Sequence, residues 1–326
     1  MGLALKLLTS SAFMMGAALV LSLVTNFSGI FPSKILTTSI VSNLTIVLLA
    51  IMMTISLSRI PSRNLSPAKN PTSLLRALVI GLFIASTIPI IGYLLLKDSS
   101  YHDYAAGLVF VAATPFAASV APLSFILRGD MEHAVRSTIY VYIAALLWIP
   151  FIVFVLLGKA VNMTDLIITV IEVIGIPLIA SRFLTRVKMD KIKMAILLNC
   201  IISFLVWMSV SSTAFNCGMW VLLAFLLIAG LRTIGLGSAV EITERHFKIA
   251  WSQRVTDILM MSYKNKGIAI ALCVATMGHL VPYAMVAVAA SVVMETCWVV
   301  CMDSVLFSRK RMRRELEKEG LEVGEL

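Results

Sequence analysis

Ser262-Tyr263-Lys264-Asn265-Lys266-Gly267 lies inside an otherwise apolar run from about Val255 to Met277, and how that run is read decides the fold. A lysine at the centre of a bilayer costs about 2.5–3.5 kcal/mol. A partner charge, a water-filled cavity or a bound anion must offset it. The composition around the run names the solvent. Hydrophobic residues make up 60% of the chain and charged residues 13%, against roughly 25% charge in a soluble domain. This is the composition of a membrane protein, and 326 residues accommodate many spans of about 20 residues each. The formal charge of +10 sits in short loops between apolar runs, where it sets topology; nucleic-acid binding is excluded on that ground.

Apolar runs separated by charged or Pro/Gly-containing loops predict ten spans. They are Leu8 to Phe27, Ile35 to Leu57, Leu74 to Leu96, Tyr104 to Leu127 and Ala134 to Leu157, then Leu166 to Phe183, Met194 to Ser212, Met219 to Leu236, Val255 to Met277 and Leu280 to Leu306. A charged tail, 308–326, closes the chain. The N-terminal run lacks a clear small-residue cleavage site, so it reads as a retained first span. Of the 27 Lys and Arg, only Lys34, Lys97 and Lys159 fall in the alternate loops, and Lys264 and Lys266 deep within a span; the rest, residues at the span ends included, gather on one side. The positive-inside rule then puts both termini in the cytoplasm of a multi-pass cell-membrane protein.

The short Gly158–Asn162 loop divides the spans into halves, 1–159 and 160–307, of five each. Five is odd, so the second half enters the membrane in the opposite sense. That is a 5+5 inverted repeat, common among secondary transporters. The fold predicted is therefore an all-α polytopic membrane protein.

The fourth span of each half is irregular. Span 4 carries Thr114-Pro115-Phe116-Ala117-Ala118-Ser119-Val120-Ala121-Pro122. Each proline removes a backbone donor, and broken helices inside membranes are tolerated where buried in protein or lining a cavity. An ordinary proline kink is the competing reading. At 1.5 Å per residue, Pro115 lies about 16 Å from one face and Lys264 about 15 Å from the other. Both are near the midplane, and two interrupted spans at matching places point to a transport site.

Lys264 and Lys266 stand roughly 200° apart on a regular helix, so both face one cavity only if the helix unwinds there. Asn265 and Gly267 suit such unwinding. A structural ion pair and a role in substrate binding or coupling both remain open, with Glu172, Glu295 and Asp257 as candidate acids. Glu172, about 10 Å in at helical rise, reads as a proton-relay acid or a lysine partner. Glu295 lies toward the cytoplasm, within reach of an interfacial base. His102, His133, His246 and His279 fall at loops or span ends and read as solvated. Asn43, Thr45 and Asn199 read as bridges between helices. Five cysteines follow no metal spacing and read as buried hydrophobes. No cofactor or metal is called for. The run Arg309-Lys310-Arg311-Met312-Arg313-Arg314 reads as a stop-transfer and lipid-headgroup cluster.

The segment from Gly107 through Thr114-Pro115 to Arg128-Gly129-Asp130, with Asn265-Lys266-Gly267-Ile268-Ala269, resembles the bile acid:sodium symporter family. The resemblance implies ten helices, a panel and a core domain, and broken helices 4 and 9 that cross at the site. It also exposes departures. Where the family places Ser-Asn for sodium, the chain has Val120 and Ala121; a later serine reads Ala134, while Thr138 is kept. The family's span-9 acid falls at Met260 and its glutamine at Lys264.

The expected function is secondary transport of a small or amphipathic organic anion by alternating access. Lys264 stands in for the coupling cation, and transport is a uniport or proton-coupled. The candidate residues for substrate or coupling are Thr114, Pro115, Ser119, Thr138, Glu172, Ser262, Lys264, Asn265 and Lys266. The alternatives are a sodium symporter with altered sites, an arsenite exporter (which lacks its expected cysteine here), and an intramembrane enzyme built on Ser262 with a lysine, or a sensor.

Overall fold

The computed structural model describes residues 3–58, 71–185, 190–213, 215 and 218–319. Arg59, Arg63, Lys69, Arg186, Lys188, Cys217 and the tail residues 320–326 lie outside the described residues. The structure is all-helical: among the described residues the one β-type feature is an isolated bridge between Phe116 and Lys264.

In chain order the helices are α1 (Leu3–Thr9), α2 (Ser11–Phe27), α3 (Thr38–Ser58), α4 (Pro71–Leu96), α5 (His102–Ala113), α6 (Val120–Ile126) and α7 (Met131–Leu157). They continue with α8 (Met163–Leu184), α9 (Lys191–Ser211), α10 (Met219–His246), α11 (Trp251–Ser262), α12 (Lys266–Thr276), α13 (Val281–Cys301) and the tail helix α14 (Arg309–Lys318). Seven are long and apolar enough to cross a membrane. α2 and α12 are shorter apolar helices. Polar caps start several of them: Ser10, Asp130, Asn162, Asp190 and Asn265 each accept a hydrogen bond from a backbone N–H of the first turn.

Two packing groups are evident. In one, α2 lies along α9, and α3 along α8 and α9. In the other, α5 packs between α4 and α13, α10 lies against α13, and α7 backs α4, α5 and α6. α12 faces both, touching α3 and α8 on one side and α5 and α13 on the other. Within the first group Asn26 donates to the carbonyls of Val210, Ser211 and Thr213, and Asn199 donates to that of Leu8. Asn199 thus bridges helices as expected. Asn43 is exposed, and the buried Thr45 hydroxyl has no partner, so neither bridges.

π turns interrupt α4 at Val79–Ile84, α8 at Ile171–Gly175 and α10 at Leu231–Gly235. Such turns gather at functional sites, and two of these three supply atoms to the centre described below. α5 and α13 approach closely at Gly107. A Cβ built on Gly107 would stand 1.9 Å from the Ala284 carbonyl oxygen. Because the obstacle is backbone, Gly107→Ala should exceed the usual ~1–3 kcal/mol of overpacking. A thermal melt in detergent should show a midpoint several degrees lower, or no folded monodisperse protein.

Candidate functional site

The chain leaves helical geometry at two places, and the two places meet. α5 ends at Ala113, followed by extended Thr114. α11 ends at Ser262, and α12 restarts after Asn265. The Asn265 amide donates to the Pro115 carbonyl at 2.8 Å, and the Ala117 amide to that of Tyr263 at 2.8 Å. Backbone groups freed by one break are thus satisfied by the other, which dry surroundings require. Tyr142 of α7 fastens both. Its hydroxyl donates to the Phe116 carbonyl at 2.9 Å and accepts from the Asn265 side-chain amide at 2.7 Å. Tyr142 was not singled out from sequence; an aromatic in an apolar helix carries no mark of such a task.

Lys264 lies at the junction, 2% exposed. Its ammonium donates to the carbonyls of Thr114 (2.6 Å), Gly81 (3.1 Å) and Ala112 (3.2 Å) and to the Ser86 hydroxyl (3.1 Å). Ala112 and Thr114 lie at the C-terminal end of α5, where the helix dipole is negative. Gly81 belongs to the α4 π turn. Four oxygens therefore surround one cation, and no carboxylate is among them. Of the two alternatives left open for Lys264, the ion pair with an acid is not found; backbone supplies the compensation, which charge-pair reasoning overlooks.

Lys266 takes the carboxylate. Its ammonium is 3.3 Å from Glu295 Oε2 and lies over the Tyr263 ring, 5.4 Å from the centroid. Glu295 is fully buried and also pairs with Arg232, itself fully buried in the α10 π turn. Arg232 further donates to the Thr233 hydroxyl (2.6 Å) and the Ser262 carbonyl (3.3 Å). Two sequence readings are corrected here. Glu295 does not reach an interfacial base, and Arg232, which counted from sequence as a charge at the cytoplasmic end of the eighth span, is buried at the centre. The π turn directs the Arg232 guanidinium inward, and a linear charge count has no access to that. A cavity of about 10 Å³ lies between the two lysines, lined also by Thr114, Val111, Ser291 and Glu295. At most one water fits such a space. Three cations and one carboxylate border it or touch its lining.

The other residues read from sequence divide cleanly. Thr114 and Pro115 meet Lys264 and Asn265 through their carbonyls, while the Thr114 hydroxyl turns back to Val111. Ser262 contributes its carbonyl to Arg232 and donates its hydroxyl to Ile258. Thr138 is buried, its hydroxyl donated to Ala134. Ser119 is half-buried in the turn before α6. Glu172 is half-buried on α8 and forms no ion pair among the described residues, so it is brought to neither lysine.

Beyond the centre, two further charge clusters correct the sequence reading. His133 is 4% exposed, not solvated, with Nε2 3.3 Å from Asp257. The tail helix α14 docks by Arg311 to Glu241 and by Glu315 to Arg254 (2.6 Å), with Met312 buried. Arg254 and Arg311 both lie over the Trp251 ring. Burial pushes the Glu315 carboxyl up, but the hydrogen bonds and charges of Arg254 and Lys318 hold it at about 2. Its folded value lies below the ordinary 4.5, so this contribution is present above that pH and fades as pH falls toward 2. The basic run is therefore partly a docking strap; Lys310, Arg313 and Arg314 remain outward.

No curated protein matches the chain. A family model described as the sodium bile acid symporter family matches residues 43–231. That match holds the α5–α6 break, stops one residue short of Arg232 and does not reach the α11–α12 break with its two lysines. With more than half the chain covered, an all-helical apolar architecture and interrupted helices that meet at its centre, the protein is a multi-pass membrane transporter belonging to the sodium bile acid symporter family.

Proposed function

We propose that the chain is a secondary transporter of a small or amphipathic organic anion, working by alternating access without sodium, with Lys264 as a tethered internal cation. The observation that carries this reading is the ammonium of Lys264 among four oxygens at the meeting of the two breaks. Those oxygens form the kind of shell a hard cation takes. Val120, Ala121 and Met260, at the positions where the family places sodium ligands, are buried and offer no side-chain oxygen. The residues present therefore do not fit a sodium ion beside Lys264. Lys264, Lys266 and Arg232 against Glu295 alone favour an anion, and Phe116, Val120 and Met260 favour an apolar body on it.

The same reading takes the chain as ten spans: α2, α3, α4, α5–α6, α7, α8, α9, α10, α11–α12 and α13. Two inverted halves, 1–159 and 160–307, have cytoplasmic termini in the cell membrane. Supporting it are the π turns in both α4 and α10 and the breaks in both α5–α6 and α11–α12, the third and fourth spans of each half. The small cavity marks a closed state, and an organic anion enters when the α2–α3–α8–α9 group parts from the other.

Uptake into proteoliposomes of a panel of organic acids and their neutral amides tests the substrate class. The acids are expected to enter and compete with one another while the amides do not. Equal uptake of acid and amide would overturn the anion assignment.

A further inference from the structure

Two turns before Lys264, about 10 Å along the chain at helical rise, four titratable side chains meet away from the breaks. Asp257 of α11, fully buried, is 2.9 Å from Arg76 of α4 and 3.3 Å from His133 Nε2 of α7. Arg76 also pairs with Glu244 at the end of α10. Glu244 Oε2 and Asp257 Oδ2 are both buried and lack a hydrogen-bond partner. The surrounding charges are committed elsewhere. Asp130 caps α7 through the His133 amide (2.9 Å), Arg136 pairs with Glu132 (2.5 Å), and Arg254 is held by Glu241 and Glu315. Two carboxylates thus face one guanidinium, and the cluster is one positive charge short of neutrality. Among the described residues no three His, Cys, Asp or Glu side chains are arranged to hold a metal ion. One bound proton would neutralise the cluster.

His133 is built to carry that proton in either state. Nε2 faces a carboxylate, an acceptor only, so Nε2 holds a hydrogen throughout. Nδ1 faces two hydroxyls, Ser73 of α4 and Ser137 of α7, the latter at 3.2 Å. A hydroxyl donates or accepts as it rotates. The neutral ring accepts at Nδ1 and the charged ring donates there, so the ring itself is partnered in either state. A fixed structural histidine needs no such reversible partners.

We infer that the His133–Asp257–Arg76–Glu244 cluster is a proton-binding site that loads one proton on Nδ1 of His133 and couples transport to it. The cluster joins α4, α7 and α10, the helices that supply Gly81, Tyr142 and Arg232 to the centre, and α11, which leads into Lys264. Its charge therefore acts on the elements that hold the breaks. The coupling rests on the transporter reading; the proton site itself does not. In this proposal His133 is the group that changes.

The test uses the full chain in nanodiscs with the exposed His102, His246 and His279 replaced by glutamine, leaving His133 as the sole histidine. Nitrogen-15 spectra of that ring from pH 5 to 9 should show Nδ1 passing between neutral and charged forms, with Asp257→Asn moving the midpoint. A ring locked in one charge state, or a midpoint indifferent to Asp257→Asn, overturns the site whatever the transport data show. In proteoliposomes, uptake should change at least fivefold between pH 6 and 8, and His133→Gln should flatten that profile while uptake persists. A titrating ring with an unaltered uptake profile in His133→Gln overturns the coupling. A titrating ring with no uptake of any anion by the wild type removes the transporter reading and the coupling that rests on it, and leaves the proton site standing.

Discussion

Lys264→Met is expected to destabilise the protein by on the order of 3 kcal/mol, at about 1–3 kcal/mol for each buried polar group left without its partner, and to abolish uptake. The Thr114 carbonyl lies outside any helix and loses a 2.6 Å donor. The Gly81 and Ala112 carbonyls lose a charged one, although Ala112 keeps the Ser86 hydroxyl. An opposing effect must be weighed. Replacing a buried ion by an apolar side chain spares its desolvation, which is stabilising when the ion is poorly compensated. Here four oxygens have replaced the water shell, so little is spared. A second consequence follows for Lys264→Ala, which frees space as well. Its vacated oxygens can receive a small cation, so sodium should raise its melting midpoint while leaving the wild type unmoved. A Lys264→Met protein as stable as wild type would show that the oxygens do not need the ammonium.

Glu295→Ala carries a comparable penalty of about 3–5 kcal/mol, the range for removing one partner of a buried ion pair, and belongs at its upper end. Arg232 and Lys266 both depend on this carboxylate, and both are buried. Glu295→Gln preserves shape and one acceptor but not charge, and should fall between. Adding Lys266→Met to Glu295→Gln should recover part of the loss, because one uncompensated cation is then removed. Denaturation midpoints of the two single variants and the double variant give that coupling as a cycle. Additive effects would mean that Lys266 and Glu295 are energetically independent despite their 3.3 Å approach.

The all-helical architecture was legible because membrane-length apolar runs leave few alternatives, and the breaks because prolines and lysines in such runs are costly. Their shared depth was legible from residue counts and their crossing from the family resemblance; the structure joins them through the Asn265–Pro115 and Ala117–Tyr263 backbone hydrogen bonds. What stayed hidden has a common physical cause. Lys264 is compensated by carbonyls, which every residue possesses and no sequence advertises. Arg232 is turned inward by a π turn, which adds a residue to one helical turn and shifts every later side chain. His133, read as a solvated loop residue, is covered because Ser73 and Arg76 of α4 and Asp257 of α11 close over the start of α7. The tail's basic run was read as lipid-facing because its counter-charge Glu241 lies some 70 residues away.

The central claim is that a tethered ammonium has taken the place of a coupling sodium. Uptake by wild-type proteoliposomes, measured with sodium and with choline as the only external cation at matched pH and membrane potential, tests it most directly. Equal initial rates in the two media are predicted, with no displacement of either curve by added sodium. Uptake that requires sodium, rising with its concentration to saturation, would contradict the account.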